Sequence, residues 1–314
     1  MTTSEAGALA CADAVLRAHG KTFAWARRFL GRRHAERATL LYALCRHLDD
    51  LADEAPDRAS ATQNLQAVRV EFAASRSGTP LVGAVLRQFE GADAARRAAI
   101  ALIDGVTRDL GDVAFTSERE LMRYCYRVAG TVGVMMCRVL DQPDPAALPF
   151  AVDLGIAMQL TNIARDVHED ALRGRRYVPA DMVDGAGADA LAAMGDDALR
   201  ARVRDARLAL LSRAEHYYES GWRGLAFLPV RARFAILIAA ANYRAIGARI
   251  RAHGLTVERR AVVPAAAKLW ITARAVVTAA LRPSFWRRPG AHDAALHGHL
   301  TGFDGVNHAA GARA

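Results

Sequence analysis

Two short acidic runs hold the residue types best suited to chemistry in this chain. Asp49 and Asp53 stand four residues apart in RHLDDLADE (46–54), just after Arg46. Asp166 and Asp170 repeat that spacing in RDVHED (165–170), which opens with Arg165. On a helix, carboxylates at i and i+4 share one face with Cβ atoms about 5–6 Å apart, where like charges repel. Gln159, Asn162, Asp166 and Asp170 fall at i, i+3, i+7 and i+11, so amides and carboxylates form one stripe. Both runs follow apolar stretches, LLYAL (40–44) and IAM (156–158). An inward-facing polar stripe is costly unless its charges are paired or bind metal. Hard cations such as Mg²⁺ take carboxylates, water and phosphate oxygens. A single DxxxD reads most simply as a solvated helix face. Two of them, each with an arginine on its N-terminal side and one continuing an amide stripe, point instead to Mg²⁺ (or Mn²⁺) holding a diphosphate.

Such residues need helices to position them, and the chain supplies little else. Ala, Leu and Arg dominate, and all three favour helix. Apolar spacing predicts helices over 4–19, 34–54, 58–74, 92–110, 117–140, 146–171, 196–221, 230–253 and 261–281. Breakers separate them at SGTP (77–80), PDP (143–145) and the glycine-rich stretch 184–187. Hairpin signals and fixed-period repeats are scarce. The expectation is one all-α domain over 1–281. The tail 282–314, rich in Gly, Ala and His, is expected to be poorly ordered. Its histidines His292, His297, His299 and His308 show no metal-ligand spacing.

Several motifs together resemble the squalene/phytoene synthase family. QLTNIARDVHED (159–170), continuing through GRRYVP (174–179), resembles its second aspartate-rich signature, and LYALCRHLDDLAD (41–53) its first. YCYRVAGTVG (124–133) resembles the central helix motif, and HGKTF (19–23) the N-terminal flap, with Thr22 where serine is usual. Asn242-Tyr243-Arg244, Arg260 and Lys268 resemble the C-terminal substrate helices. The likeness spans about residues 12–281.

That resemblance implies a single-domain isoprenoid synthase bundle around a central cavity. It implies head-to-head condensation of two prenyl diphosphates through a cyclopropylcarbinyl diphosphate. By it, Asp49, Asp53, Asp166 and Asp170, with Asn162, hold the metal. Arg46, Arg165, Lys21 and Arg260 meet diphosphate, and Gln159 orients it. Tyr124 and Tyr243 line the reaction centre, with His19, Thr22 and Phe23 in the flap. Gly130 and Gly133 either let a prenyl chain approach the helix or let two helices pack closely. Tyr126, Arg127 and the pairs Arg27-Arg28 and Arg32-Arg33 read equally well as a solvated face. The wording of the central motif is most like bacterial phytoene synthases, so geranylgeranyl diphosphate is the expected substrate, with no NADPH. The alternative is a C30 synthase using farnesyl diphosphate to make squalene, dehydrosqualene or hydroxysqualene. A class I terpene cyclase would carry a different second motif, and an inactive assembly or interaction protein would have eroded aspartates.

Composition sets the remaining bounds. The 314 residues are 52% hydrophobic and 24% charged, a globular balance. Net charge is +9, and Lys21 and Lys268 are the only lysines among 42 cations. Guanidinium forks suit diphosphate oxygens and anionic membrane surfaces, and peripheral membrane contact is an expectation. No nucleic-acid module accompanies the charge. Cys11, Cys45, Cys125 and Cys137 form no CxxC pair and read as reduced core residues of a cytoplasmic protein. No secretory signal is expected. The nearest approach to a membrane span, 261–281, is interrupted by Pro264, Lys268 and Arg274. Oligomeric state is left open.

Overall fold

A computed structural model describes residues 3–253 and 261–307. The helices are α1 (Thr3–His19), α2 (Lys21–Arg27), α3 (Arg32–Asp53), α4 (Arg58–Ala74), α5 (Pro80–Gln88), α6 (Asp93–Arg108) and α7 (Glu118–Cys125). They continue as α8 (Thr131–Val139), α9 (Leu148–Leu172), α10 (Ala188–Ala193), α11 (Asp197–Gly224), α12 (Val230–His253), α13 (Ala265–Ala280) and α14 (Pro283–Trp286). Local chemistry sets many of their ends. The Asp57 side chain accepts the Ser60 N–H at the start of α4, and Ser75 closes that helix in the left-handed conformation, φ 54°. Ser117 caps α7 while Glu120 reaches back to the Thr116 N–H at 2.8 Å. Pro80, read from sequence as a breaker, is instead the first residue of α5, where its missing N–H is no loss.

At the centre runs α9, packed along α11 and touched by α8, α10 and α12. It also comes nearest to a membrane-spanning helix by length and hydropathy, over Pro145–Leu172, in place of the expected 261–281. More than half of its most apolar window is buried against the rest of the protein, as a core helix requires. A π-turn over Tyr126–Gly130 joins α7 to α8, with Thr131 N–H bonded back to the Tyr126 carbonyl. Beyond it α8 lies very close to α9. A Cβ on Gly133 would sit 2.1 Å from the Ala151 carbonyl oxygen, and one on Gly155 2.2 Å from that of Ala129. Glycine at 133 therefore answers to helix packing. Gly130 does too: it is buried between the Tyr126 ring and Val152.

Two expectations need correction. The tail is folded through residue 307. His292 and His297 are buried and donate from Nε2 to the two oxygens of the buried Asp153 on α9, at 2.7 and 2.9 Å. Phe303 stacks on Tyr126 at 4.2 Å between centroids, and Arg97 grips Asp304 with two nitrogens. Composition suggested disorder because the anchoring partners all lie far away in sequence. His308 lies outside the described residues. Of the cysteines, Cys125 and Cys137 are buried, but Cys11 is exposed and no core residue.

Candidate active site

Helices α3 and α9 bring the two acidic runs to one end of the bundle. Asp49 projects into the open mouth of a cleft, and Asp53, one turn on, faces Arg175 at 3.4 Å. Asp50 is held by Arg46 at 2.5 Å. On α9, Arg165 grips the neighbouring Asp166 through Nε at 2.7 Å and through a second nitrogen. Asn162 Nδ2 donates to Gln159 Oε1 at 3.3 Å, so the predicted amide pair is present.

A fifth carboxylate joins them that no motif in the sequence singles out. Asp109 follows the end of α6 and belongs to no DxxxD run. It accepts the Tyr124 hydroxyl at 2.7 Å. The Tyr124 ring stacks on Tyr177 at 4.9 Å. Backbone pairing pins this loop in place: Arg176 N–H donates to the Val113 carbonyl and Phe115 N–H to the Arg176 carbonyl. The segments that follow α6 and α9 are thereby drawn together, and Arg175 acts on both Asp53 and Asp109.

Burial and crowding raise three of these carboxyls above their ordinary value. Dense protein around the cleft mouth lifts Asp49 to about 7; Arg46 opposes the shift, and Asp53, Asp50 and Asp109 add to it. Burial lifts Asp170 to about 7 as well, reinforced by Asp166 and Asp109. Asp109 rises to about 6, again chiefly through burial, against the pull of Tyr124 and Arg175. Asp109 acts on Asp49 and on Asp170, so the three groups occupy one electrostatic site. Among the described residues, Asn162 Oδ1 and Asp109 Oδ1 are buried acceptors with no hydrogen-bond partner. Surplus negative charge and unsatisfied oxygens are what a divalent cation relieves, so the residues present fit one.

Below this polar end lies a cavity of about 400 Å³. Asp49, Gln159 and Asn162 stand at one end of its lining. Most of the remaining wall is apolar, including Leu41, Val132, Met136, Phe150, Leu154 and Met158. Phe23 of α2 lies 5.7 Å from the Tyr42 ring and 5.6 Å from that of Tyr243, and all three line the cavity. The arrangement can therefore hold an anionic head beside the carboxylates and a long hydrocarbon tail in a dry channel.

Other predicted residues divide by position. Gly133 lines the cavity as well as packing on α9, whereas Gly130 is not among its walls. Tyr124 stands behind the carboxylates as the support of Asp109 rather than in the channel lining. Thr22 accepts from Lys268 Nζ at 3.3 Å, which ties α2 to α13. His19 and Lys21 are exposed at the α1–α2 junction. Arg260 lies outside the described residues.

The profile of the squalene/phytoene synthase family matches residues 16–267. A phytoene synthase of Pseudescherichia vulneris is 36% identical over 248 residues, covering 74% of this chain and 79% of that one. A 15-cis-phytoene synthase of a Paracoccus species is 37% identical over 270 residues, covering 80% and 88%. Among solved structures, a dehydrosqualene synthase in complex with ligand aligns with a TM-score of 0.78 at 25% identity, covering 87% of this chain and 97% of that one. The two acidic runs, the all-helical fold and these likenesses agree, and the chain belongs to the squalene/phytoene synthase family.

Proposed function

We propose that this chain is a prenyltransferase that joins two geranylgeranyl diphosphates head to head to give phytoene, through a cyclopropylcarbinyl diphosphate. One observation carries the chemistry: a single cavity is lined by the Asp49 carboxylate, the Gln159 and Asn162 amides and otherwise mostly apolar walls. The C20 substrate is taken from the relatives, which are phytoene synthases.

Asp49 and Asp53 on α3, with Asp166, Asp170 and Asn162 on α9, would hold Mg²⁺. When bound, the metal neutralises diphosphate charge and eases its departure as leaving group. Arg46 and Arg165 stand beside these carboxylates and suit the oxygens on which charge develops. Gln159 orients Asn162 by accepting a hydrogen bond from its Nδ2. Phe23, Tyr42 and Tyr243 offer ring faces to the allylic cation left on the first substrate. The second substrate's double bond then attacks that cation, and loss of a proton closes the cyclopropane; departure of the second diphosphate gives the cation that rearranges to the linear chain. Apolar walls keep water away from the cationic intermediates, which it would otherwise capture. Burial of each CH₂ contributes about 0.8 kcal/mol, so the tails supply much of the binding energy. Final loss of a proton needs no hydride donor, hence no NADPH.

The test is a product assay with purified protein, Mg²⁺ and detergent, offering farnesyl or geranylgeranyl diphosphate separately without NADPH. A C40 hydrocarbon from geranylgeranyl diphosphate is the expected outcome, lost on adding EDTA. A C30 product from farnesyl diphosphate alone would move the chain to the squalene side of the family. Condensation of neither would sink the reading.

A further inference from the structure

Helix α13 is apolar on two sides. One side packs inward: Thr272 and Ala279 are buried, and Val276 packs with Trp25, Ile238 and Ala239. The other faces away from the protein. Ala266, Leu269, Trp270, Ala273, Val277, Ala280 and Leu281 recur at three- and four-residue spacing and are all exposed. Exposure reaches 58% at Leu269, 64% at Trp270, 59% at Val277 and 78% at Leu281. Trp286, on the short α14 that follows, is 47% exposed. An aqueous surface has no use for a continuous stripe of this kind.

Along the chain the charge beside the stripe has one sign, although Arg288 pairs in space with Asp144 at 2.9 Å and Glu219 borders the neighbouring groove. Between residues 261 and 292 the sequence holds Lys268, Arg274, Arg282, Arg287 and Arg288, with no aspartate or glutamate. Arg274, Arg282, Arg287 and Arg288 are exposed. Arg274 and Arg282 also border a groove of about 690 Å³ between α11, α12 and α13, with Leu225, Leu237 and Ile271 in its walls. A stripe of Leu, Val and Trp flanked by arginines matches the boundary of an anionic bilayer, where acyl chains meet phosphate. At 16 residues, α13 is about 24 Å long and is fixed against α12, so it lies in the interface and does not span it.

We infer that the outer face of α13, with α14, docks the protein on an anionic lipid bilayer. The face is well placed for an enzyme of lipid substrates. Its inner side packs on α12, whose Ala235, Ile236, Ala239 and Tyr243 line the apolar cavity, and Lys268 and Thr272 bond Thr22 and Trp25 of α2. The inference goes beyond the proposed reaction and does not depend on substrate chain length.

Flotation of the full chain with phosphatidylglycerol and with phosphatidylcholine vesicles tests it. Wild type should bind the anionic vesicles, more weakly at high salt, and bind the zwitterionic ones little. The triple variant Trp270→Ser/Val277→Ser/Leu281→Ser removes exposed side chains only and should partition roughly 10- to 100-fold more weakly. Its circular dichroism and its turnover in detergent should match wild type, so loss of docking is distinguishable from failure of the proposed reaction. As a second readout independent of variant folding, brominated lipid should quench wild-type fluorescence, and Trp270→Phe should remove much of that quenching. Equal binding by the triple variant, or no wild-type preference for anionic vesicles, would overturn the inference. So would a wild-type dimer, seen by sedimentation, that the triple variant dissolves while vesicle binding is absent; a second copy would then be the occupant.

Discussion

An aspartate just past a helix end is ordinarily solvated, whereas Asp109 is half-buried. Its carboxylate takes the Tyr124 hydroxyl and feels Arg175 and Asp53, which makes it part of the acid cluster formed by α3 and α9. Asp109→Asn keeps the shape and the Tyr124 bond but removes the charge. We expect the Mg²⁺ concentration for half-maximal turnover to rise roughly 10- to 100-fold, the range for a group that supports metal ligands. Calorimetric titration with Mg²⁺ and inorganic diphosphate should show the same weakening. Asp49→Ala or Asp166→Ala should instead abolish turnover with helical circular dichroism intact. An unchanged Mg²⁺ dependence in Asp109→Asn would remove that residue from the cluster.

At the scale of elements, two contacts decide how the site is held. The first is the α8–α9 crossing. Gly133→Ala would drive a Cβ to 2.1 Å from the Ala151 carbonyl oxygen, on a wall shared with the cavity. Backbone cannot yield as a flexible side chain does, so the loss should be about 1–3 kcal/mol, read as a lower Tm. The second contact is the tail clasp on α9. Asn307 N–H donates to His297 Nδ1 at 2.8 Å, which places the ring proton on Nε2, facing Asp153. Although Asp153, His292 and His297 lie close enough to hold a cation, that pattern makes them a hydrogen-bonded clasp. Burial alone would raise the Asp153 carboxyl, but the two imidazole donors, His292 first, outweigh it and hold it below its ordinary value. Its contribution to stability is thus full above the unfolded carboxyl value of about 3.9 and is lost as pH falls through the lower folded value. Asp153→Asn presents an amide N–H to one imidazole N–H and should cost about 1–3 kcal/mol at neutral pH. Its acid unfolding should be flatter than wild type below pH ~4. Equal melting curves for the two proteins across that window would exclude the clasp.

For the whole molecule, substrate length is a question of how far the cavity runs from the carboxylates. Val132 lines it between helices whose spacing the glycines fix. Val132→Phe should shorten the channel, reducing turnover of geranylgeranyl diphosphate by about tenfold or more while sparing farnesyl diphosphate. Parallel kcat/KM measurements with both substrates check this, and an equal loss on both would point to general disruption instead.

The helical class, nearly all the long helices, both acidic runs and the amides at Gln159 and Asn162 are legible in the sequence alone. These are readable because helix periodicity and i, i+4 spacing are local: each residue's face follows from neighbours within a few turns. Only the tertiary structure decided that Asp109 completes the acid cluster, that Tyr124 supports it, and that Gly130 serves packing. The same holds for the folded tail, whose anchor Asp153 is 139 residues from His292 and 144 from His297. It also separated the two sides of α13, since sequence shows an apolar helix but not which face finds a partner. Contacts of that range depend on where whole helices cross, and no spacing within a single helix encodes it.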